Sequence, residues 1–466
     1  FQDFYQKLYN HYPNERYFGL HFFIRPALLI KDKILIKDIF IKDFEYFTSN
    51  GMYTNINHDP FGENVLFLHG QAWKEIRLKL SNHFTPSKLR LMNDYVENIM
   101  KKVNSFIQKS INENEPIEIT KMNEKIATDV IVQAVLGIET DSFEQNSHFS
   151  TLGSKMFSSK TNMRLLVSLY NFITRIFQWG LIIFYRRDNK VKIWPEDLFG
   201  YRSKIEKSKF LIYLDVEISI SGKSRSNSMS AHKSGAKRFQ ISLSVISRIE
   251  LYKKYDFRTV LSQALILIAG GVESAAVTMT FFLYEVSLNQ EIQNKCREEI
   301  MKVLNETGTD IRTEDIGKLT YMDMVIKETM RKYPPFIMLM RKCTKSYQFR
   351  DSNLTIDPGT LILAPVKSIQ SDPNNYADPE SFIPERFADE TKGSIDAGAY
   401  LAWGLGPRLC LGKNFARLEM FLVLSRLLRN YRFTISSKTE IPVKLYKYTT
   451  VVTPNPGIWL NAEPIN

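Results

Sequence analysis

The chain has 466 residues and carries 62 Lys and Arg against 50 Asp and Glu, a formal net charge of +12. A hydrophobic content of 44% with 24% charged residues is that of a globular protein, long enough for one large domain or two to three ordinary ones. Its 3 cysteines show no paired spacing, which argues against a disulfide framework and for a reducing compartment.

The basic balance suits nucleic acid, anionic lipid or an acidic protein partner. No basic motif interleaved with aromatics appears, so nucleic acid is discounted.

The chain opens on Phe1, and FQDFYQKLYNHY reads at once as an amphipathic helix. No signal peptide or apolar anchor precedes it, and an incomplete N-terminus is expected. Residues 18–50 alternate short apolar runs with turn residues and predict short strands and a helix. Helical spacing then predicts helices over Trp73–Leu80, Ser87–Asn112 and Ile117–Leu136. Leu165–Tyr185 is long and apolar enough to span a bilayer but contains Asn171, Arg175 and Gln178. Buried or surface-seeking helices are the preferred reading there, and the flanking Arg164, Arg186, Arg187, Trp179 and Tyr185 suit a membrane interface. Ser219–Lys237 is rich in Ser and Lys and reads as a disordered surface loop inside one domain that covers 1–466. Helices are predicted again over Phe257–Ser287, Ile292–Leu304 and Asp315–Lys332, a strand over Thr360–Pro365, and a last helix over Phe415–Leu428. The expected fold is mainly α with a minor β part.

One loop, Trp403 to Gly412, concentrates chemistry. It places Cys410 among glycines with Arg408, just before a helix. A thiolate at such a turn can bind iron. Gly406 and Gly412 would let a flat macrocycle approach the backbone, and Arg408 could pair with one of its carboxylates. A dinucleotide fingerprint fits poorly, because Leu409 occupies the third glycine position and Pro407 interrupts the run. A nucleophilic cysteine would want a histidine, and all seven lie between His11 and His232. Cys296 and Cys343 read as ordinary buried thiols.

Other pairs are weak singly. Glu328 and Arg331 share a helical face, and Arg386 follows in PERF. A glutamate between two arginines would fix a long connection against a helix. AGGVES sets Gly270 and Gly271 inside a helix, either for close helix packing or for a locally opened groove. Glu273 and Ser274 beside them could relay protons. Trp73 and Arg77 stand four apart on another helix.

In this order, the motifs resemble the cytochrome P450 family across nearly the whole chain. MTFFLYE and TPNPGIWL are similar to the insect branch called family six. The resemblance implies the P450 fold, with haem b between the long central helix and the cysteine loop, and Cys410 as axial thiolate to the iron. It implies Trp73, Arg77, Arg341 and Arg408 at the haem propionates, Gly270, Gly271, Trp403, Gly406 and Gly412 around the cofactor, and Glu273 and Ser274 in proton delivery. Glu328, Arg331 and Arg386 are structural in this reading. It also implies a membrane-associated, monomeric monooxygenase on the cytoplasmic face of the endoplasmic reticulum. Its electrons would come from NADPH–cytochrome P450 reductase, with cytochrome b5 as a second donor, on a basic face of Lys74, Lys79, Lys413 and Arg417. A lipophilic substrate would border Phe61–Val65, Leu265–Ala269, Phe336–Met340 and Thr449–Val451. This chain departs from the pattern at Trp403 (usually Phe), Ser274 (usually Thr), Gln370 (often His) and over 201–254. Two alternatives stand beside this reading: a peroxide-rearranging enzyme of the same fold that needs no reductase, and a non-catalytic haem-binding product.

Overall fold

The computed structural model describes residues 2–22, 25–52, 60–137, 140–144, 257–388, 395–447 and 451–465. All of them belong to one compact unit, Phe1–Gly153 with Ser242–Asn466. The readings for Leu165–Tyr185, Ser219–Lys237 and 201–254 lie outside the described residues.

In chain order the elements are α1 Gln2–His11, β1 Tyr17–Phe22, β2 Arg25–Ile30, α2 Lys33–Lys37, α3 Gly70–Ser81, α4 Pro86–Leu89, α5 Met92–Asn112, β3 Ile117–Glu118, α6 Ile119–Leu136, α7 Phe257–Leu288, α8 Gln290–Thr307, α9 Thr320–Lys332, β4 Leu339–Lys342, β5 Tyr347–Gln348, β6 Thr355–Ile356, β7 Leu361–Ala364, α10 Val366–Gln370, α11 Lys413–Asn430, β8 Tyr431–Ile435 and β9 Trp459–Pro464. The expected helices are present, with three corrections. Ile117–Glu118 is not helix but strand β3, paired with β9. Asp315–Lys332 opens with a 3-10 turn over Ile316–Lys318 before α9 begins. Ser87–Asn112 is two helices, because Leu91 N–H and Asn93 N–H bond back three residues, to Lys88 and Arg90 carbonyls, and tighten the chain into a turn. Asn93 then anchors the second helix to Thr313, accepting its N–H at 3.0 Å.

Local chemistry sets the ends. Asp32 Oδ1 accepts the Ile34 and Leu35 N–H groups and starts α2. Asn289 does the same for α8, which stops at Gly308 with φ +64°. The strands order as β1-β2-β7-β4 in one sheet and β3-β9-β8 in another. β2 and β7 run parallel, while β4 returns antiparallel to β7. β7 reads LILA and is buried on both faces.

α7 is apolar and long enough to cross a membrane by length and composition, but 67% of its most apolar window is buried inside the protein. It packs along α6, where Asn123 Nδ2 donates to Thr280 Oγ1 at 3.1 Å.

Between α9 and the cysteine loop lies a charge network whose centre, Glu328 and Arg331, is fully buried. Arg331 grips Glu328 with two N–H bonds of 2.7 and 2.9 Å, and both side chains have no exposure. Arg386 Nε reaches the same carboxylate at 3.4 Å, and Ile383 N–H donates to it at 2.9 Å. Arg331 also donates to the Gln370 carbonyl, and its guanidinium carbon lies 5.3 Å from the Tyr376 ring centroid. Gln370 extends the network: Nε2 donates to the Met330 and Arg331 carbonyls and Oε1 accepts Leu401 N–H at 2.8 Å. A carboxamide can donate twice and accept at once, which a single imidazole tautomer cannot. The entry to the cysteine loop is thereby fixed to the end of α9.

Candidate active site

The cysteine loop is closed by its own backbone. Cys410 N–H donates to the Trp403 carbonyl at 2.9 Å, and Leu409 N–H to Gly406 at 2.9 Å. Gly404 and Gly406 take φ of +76° and +72°, a conformation that favours glycine. The reason for Gly406 differs from the one expected. A Cβ there would fall 1.8 Å from the Phe40 carbonyl, so the glycine lets protein meet protein. Phe40 belongs to the π-turn Asp38–Lys42 that continues α2. Gly412 has nothing within 4 Å of the place a Cβ would take. Trp403 is half-buried, and its indole N–H makes no hydrogen bond among the described residues.

The three thiols separate by surroundings. Cys296 and Cys343 are buried, whereas Cys410 is exposed although protein crowds it closely from behind. Burial pushes the Cys410 thiol up, and a bond from Gly412 with the charges of Arg77 and Lys413 pulls it back.

Three guanidiniums gather beside it. Arg77 Nη2 donates to the Leu409 carbonyl at 2.6 Å. Arg408 donates to the Thr48 and Leu68 carbonyls at 2.7 and 2.5 Å. Arg341, on β4 and 5% exposed, donates to the Met340 carbonyl, and its Nε has no partner among the described residues. Buried Trp73 lies under Arg408 at 4.4 Å and near Arg77 at 5.8 Å, and Phe40 lies under Arg341 at 4.4 Å. No ion pair joins Arg77, Arg341 or Arg408 to a carboxylate among the described residues. Burial, then mutual repulsion, pulls Arg341 down to about 9 and Arg408 to about 10. Three cations, Arg341 buried and Arg77 and Arg408 half-buried, have ring faces but no counter-charge among the described residues; beside one exposed thiol they fit a group that brings two carboxylates and a thiophilic metal.

On α7, Gln263, Ile266, Leu267, Gly270 and Ser274 follow helical spacing along one face. Ile266, Leu267 and Ser274 are half-exposed and Gly270 is exposed, with open space at its Cβ position, in a helix otherwise mostly buried. Gly271 turns away, and a Cβ there would meet Ile131 of α6 at 2.8 Å. One glycine thus serves helix packing and the other leaves a face open. The helix is unbroken across both, so the expected groove is a bare surface rather than an opened turn. Ser274 Oγ donates to the Gly270 carbonyl at 2.6 Å. Glu124 on α6, absent from the sequence reading, is pushed up to about 7 by burial and by the Glu273 charge.

Phe336 is 47% exposed and bridges to Val451, and Leu66 is 40% exposed. The Phe61 side chain and Thr449 lie outside the described residues. Lys74 is exposed and Lys413 half-exposed, but Arg417 is tied to Asp323 by two bonds of 3.0 and 2.9 Å.

An exposed thiol in a glycine loop, an arginine cluster suited to a dicarboxylate and a long helix with one bare face are the features of a haem-thiolate protein. The chain belongs to the cytochrome P450 family, whose model matches residues 1–461. It is 30% identical to "Probable cytochrome P450 6a14" of Drosophila melanogaster, over 100% of this chain and 90% of that protein. It is 29% identical to "Cytochrome P450 9e2" of Blattella germanica, over 98% and 87%. The protein is a P450 monooxygenase, with haem iron held by a cysteine thiolate, a redox partner and a small-molecule substrate.

Proposed function

We propose that Cys410 provides the axial thiolate of haem b, with Arg77, Arg341, Arg408 and Trp73 receiving its two carboxylates. One observation carries this: the exposed thiol stands beside three guanidiniums, one buried and two half-buried, to which the described residues offer no carboxylate. Bound haem supplies oxygen activation, and one oxygen atom goes into the substrate. Gly270 leaves room on the facing helix, and Gly271 sets that helix against α6. Trp403, Gly406 and Gly412 shape the loop that presents the sulfur. Ser274 donates a hydrogen bond to the Gly270 carbonyl and keeps its lone pairs as acceptors, and Glu273 next to it relays protons toward the bare face.

Electrons come from NADPH–cytochrome P450 reductase, with cytochrome b5 as a second donor, docking on Lys74, Lys79 and Lys413. Arg417 contributes less, because Asp323 already neutralises it. The substrate is lipophilic, against Ile266, Leu267, Phe336 and Val451. The enzyme acts as a monomer, one catalytic domain over 1–466, at the cytoplasmic face of the endoplasmic reticulum membrane.

A reduced-carbonyl difference spectrum tests the ligand: a thiolate-type Soret band is expected, and its loss is expected in Cys410→Ala. Turnover with NADPH and reductase supports the monooxygenase. Turnover with an organic hydroperoxide alone favours the peroxide-rearranging alternative, and no haem uptake leaves only a non-catalytic product.

A further inference from the structure

The turn Glu63–Leu68 has no regular ladder, yet its backbone is held from both sides. Gln263 of α7, 1% exposed, donates from Nε2 to the Glu63 carbonyl at 2.6 Å. Its Oε1 accepts Val65 N–H at 2.8 Å. The same Nε2 reaches back to the Thr259 carbonyl at 3.1 Å, which fixes the rotamer. Thr259 Oγ1 adds a bond of 2.7 Å to the Glu63 carboxylate. From the other side Arg408 donates to the Leu68 carbonyl at 2.5 Å, and Asn50 Nδ2 to that of Leu66. Inside the turn, Asn64 Oδ1 accepts Leu66 N–H at 2.9 Å.

Gln263 and Gly270 are seven residues apart, so they share a helical face about 10 Å from each other. Ile266 and Leu267, both half-exposed, lie between them on that face. The turn is thus pinned at the end of the bare face of α7, and within it Leu66 is 40% exposed.

We propose that Gln263 is a positioning residue for substrate selection: it holds the 63–68 turn as the end wall of the space over Gly270. This rests on the monooxygenase reading above. Gln263 touches no reacting atom, so its loss acts on the fit of bulky ligands and not on the iron site. An apolar side chain of equal length leaves the part-buried Glu63 carbonyl and Val65 N–H without these partners, which favours an open turn.

The test uses the full-length haem protein, Gln263→Met, Thr259→Val, and two nitrogen ligands of different size, imidazole and 4-phenylimidazole. In Gln263→Met, amide exchange at Val65 is expected to accelerate about tenfold or more as its bond is lost. The dissociation constant of 4-phenylimidazole is expected to rise about tenfold while that of imidazole stays within about twofold. Thr259→Val, which spares both amide bonds, shows the same pattern at smaller size, and it decides the matter if Gln263→Met does not fold. Equal weakening of both ligands, an unchanged size preference with faster exchange, or unchanged exchange would each overturn the proposal. A parent protein without the thiolate-type band fails one step earlier, at the monooxygenase reading.

Discussion

Arg408 lies over the face of Trp73 with its guanidinium carbon 4.4 Å from the ring centroid. Arg77 approaches the same ring at 5.8 Å. The ring face offsets part of the repulsion between two cations that the described residues leave without carboxylates. Desolvation of such charges costs several kcal/mol, at about the scale that makes apolar replacement neutral or stabilising. The cluster is therefore poorly satisfied by the protein alone and well satisfied by an added dicarboxylate.

Arg341 gives the sharpest test of that balance, since it is the most buried of the three and its Nε is unbonded among the described residues. Arg341→Leu is expected to raise the melting temperature of the haem-free protein by several degrees. In the loaded protein it is expected to speed haem loss about tenfold or more, for want of one carboxylate partner. Calorimetry of the haem-free form and haem transfer to an apo-globin acceptor measure the two. A fall in both stabilities would mean that Arg341 is a packing residue only.

Thiol accessibility should mirror the difference among the cysteines. A maleimide is expected to label Cys410 quickly in the haem-free protein and to leave Cys296 and Cys343 untouched without denaturant. Haem is expected to block that labelling. Peptide mapping by mass spectrometry reads all three sites, and rapid labelling of Cys410 in the loaded protein would contradict its role as ligand.

Much of this was legible in the sequence, because local order carries it. The loop from Trp403 to Gly412, the i, i+3 pair Glu328 and Arg331, and the helical runs all advertise themselves over a few residues. Contacts between distant segments do not. Nothing near Gly406 says that the Phe40 carbonyl sits against it, nor near Gly271 that Ile131 does. Arg417 reads as surface charge until Asp323 is found beside it. Gln263 reads as a polar residue on an apolar helix, and its two bonds to Glu63 and Val65 span about two hundred positions of sequence. The break at Arg90–Leu91 was invisible because both residues suit a helix and only the tightened bonds end it.

The Glu328 network predicts an asymmetry between substitutions. Removing Arg331 as Arg331→Ala leaves a fully buried carboxylate with only Arg386 and one N–H, and is expected to cost about 3–5 kcal/mol or to abolish folding. Arg331→Lys keeps the charge but not the two-pronged grip, and is expected to recover only part of it. Soluble yield and urea unfolding compare them, and equal stability of the lysine variant and the parent would deny any value to the fork geometry.

Glu124 predicts how stability changes with pH. Its carboxyl is raised from 4.5 to about 7 by burial first, then by the charges of Glu273 and Glu118, with Lys121 opposing. The folded state therefore holds this proton more tightly than the unfolded chain. Its contribution is full below the unfolded value of 4.5 and is lost as pH rises through about 7. The shift corresponds to roughly 3 kcal/mol. Glu124→Gln, which cannot ionise, is expected to match the parent near about pH 5 and to exceed its melting temperature by several degrees near about pH 8. Glu273→Gln is expected to move the same way by less, because it removes only the second cause. Melting curves across this range decide it: a constant offset between parent and Glu124→Gln would mean that the carboxyl does not titrate there and that Glu273 does not act on it.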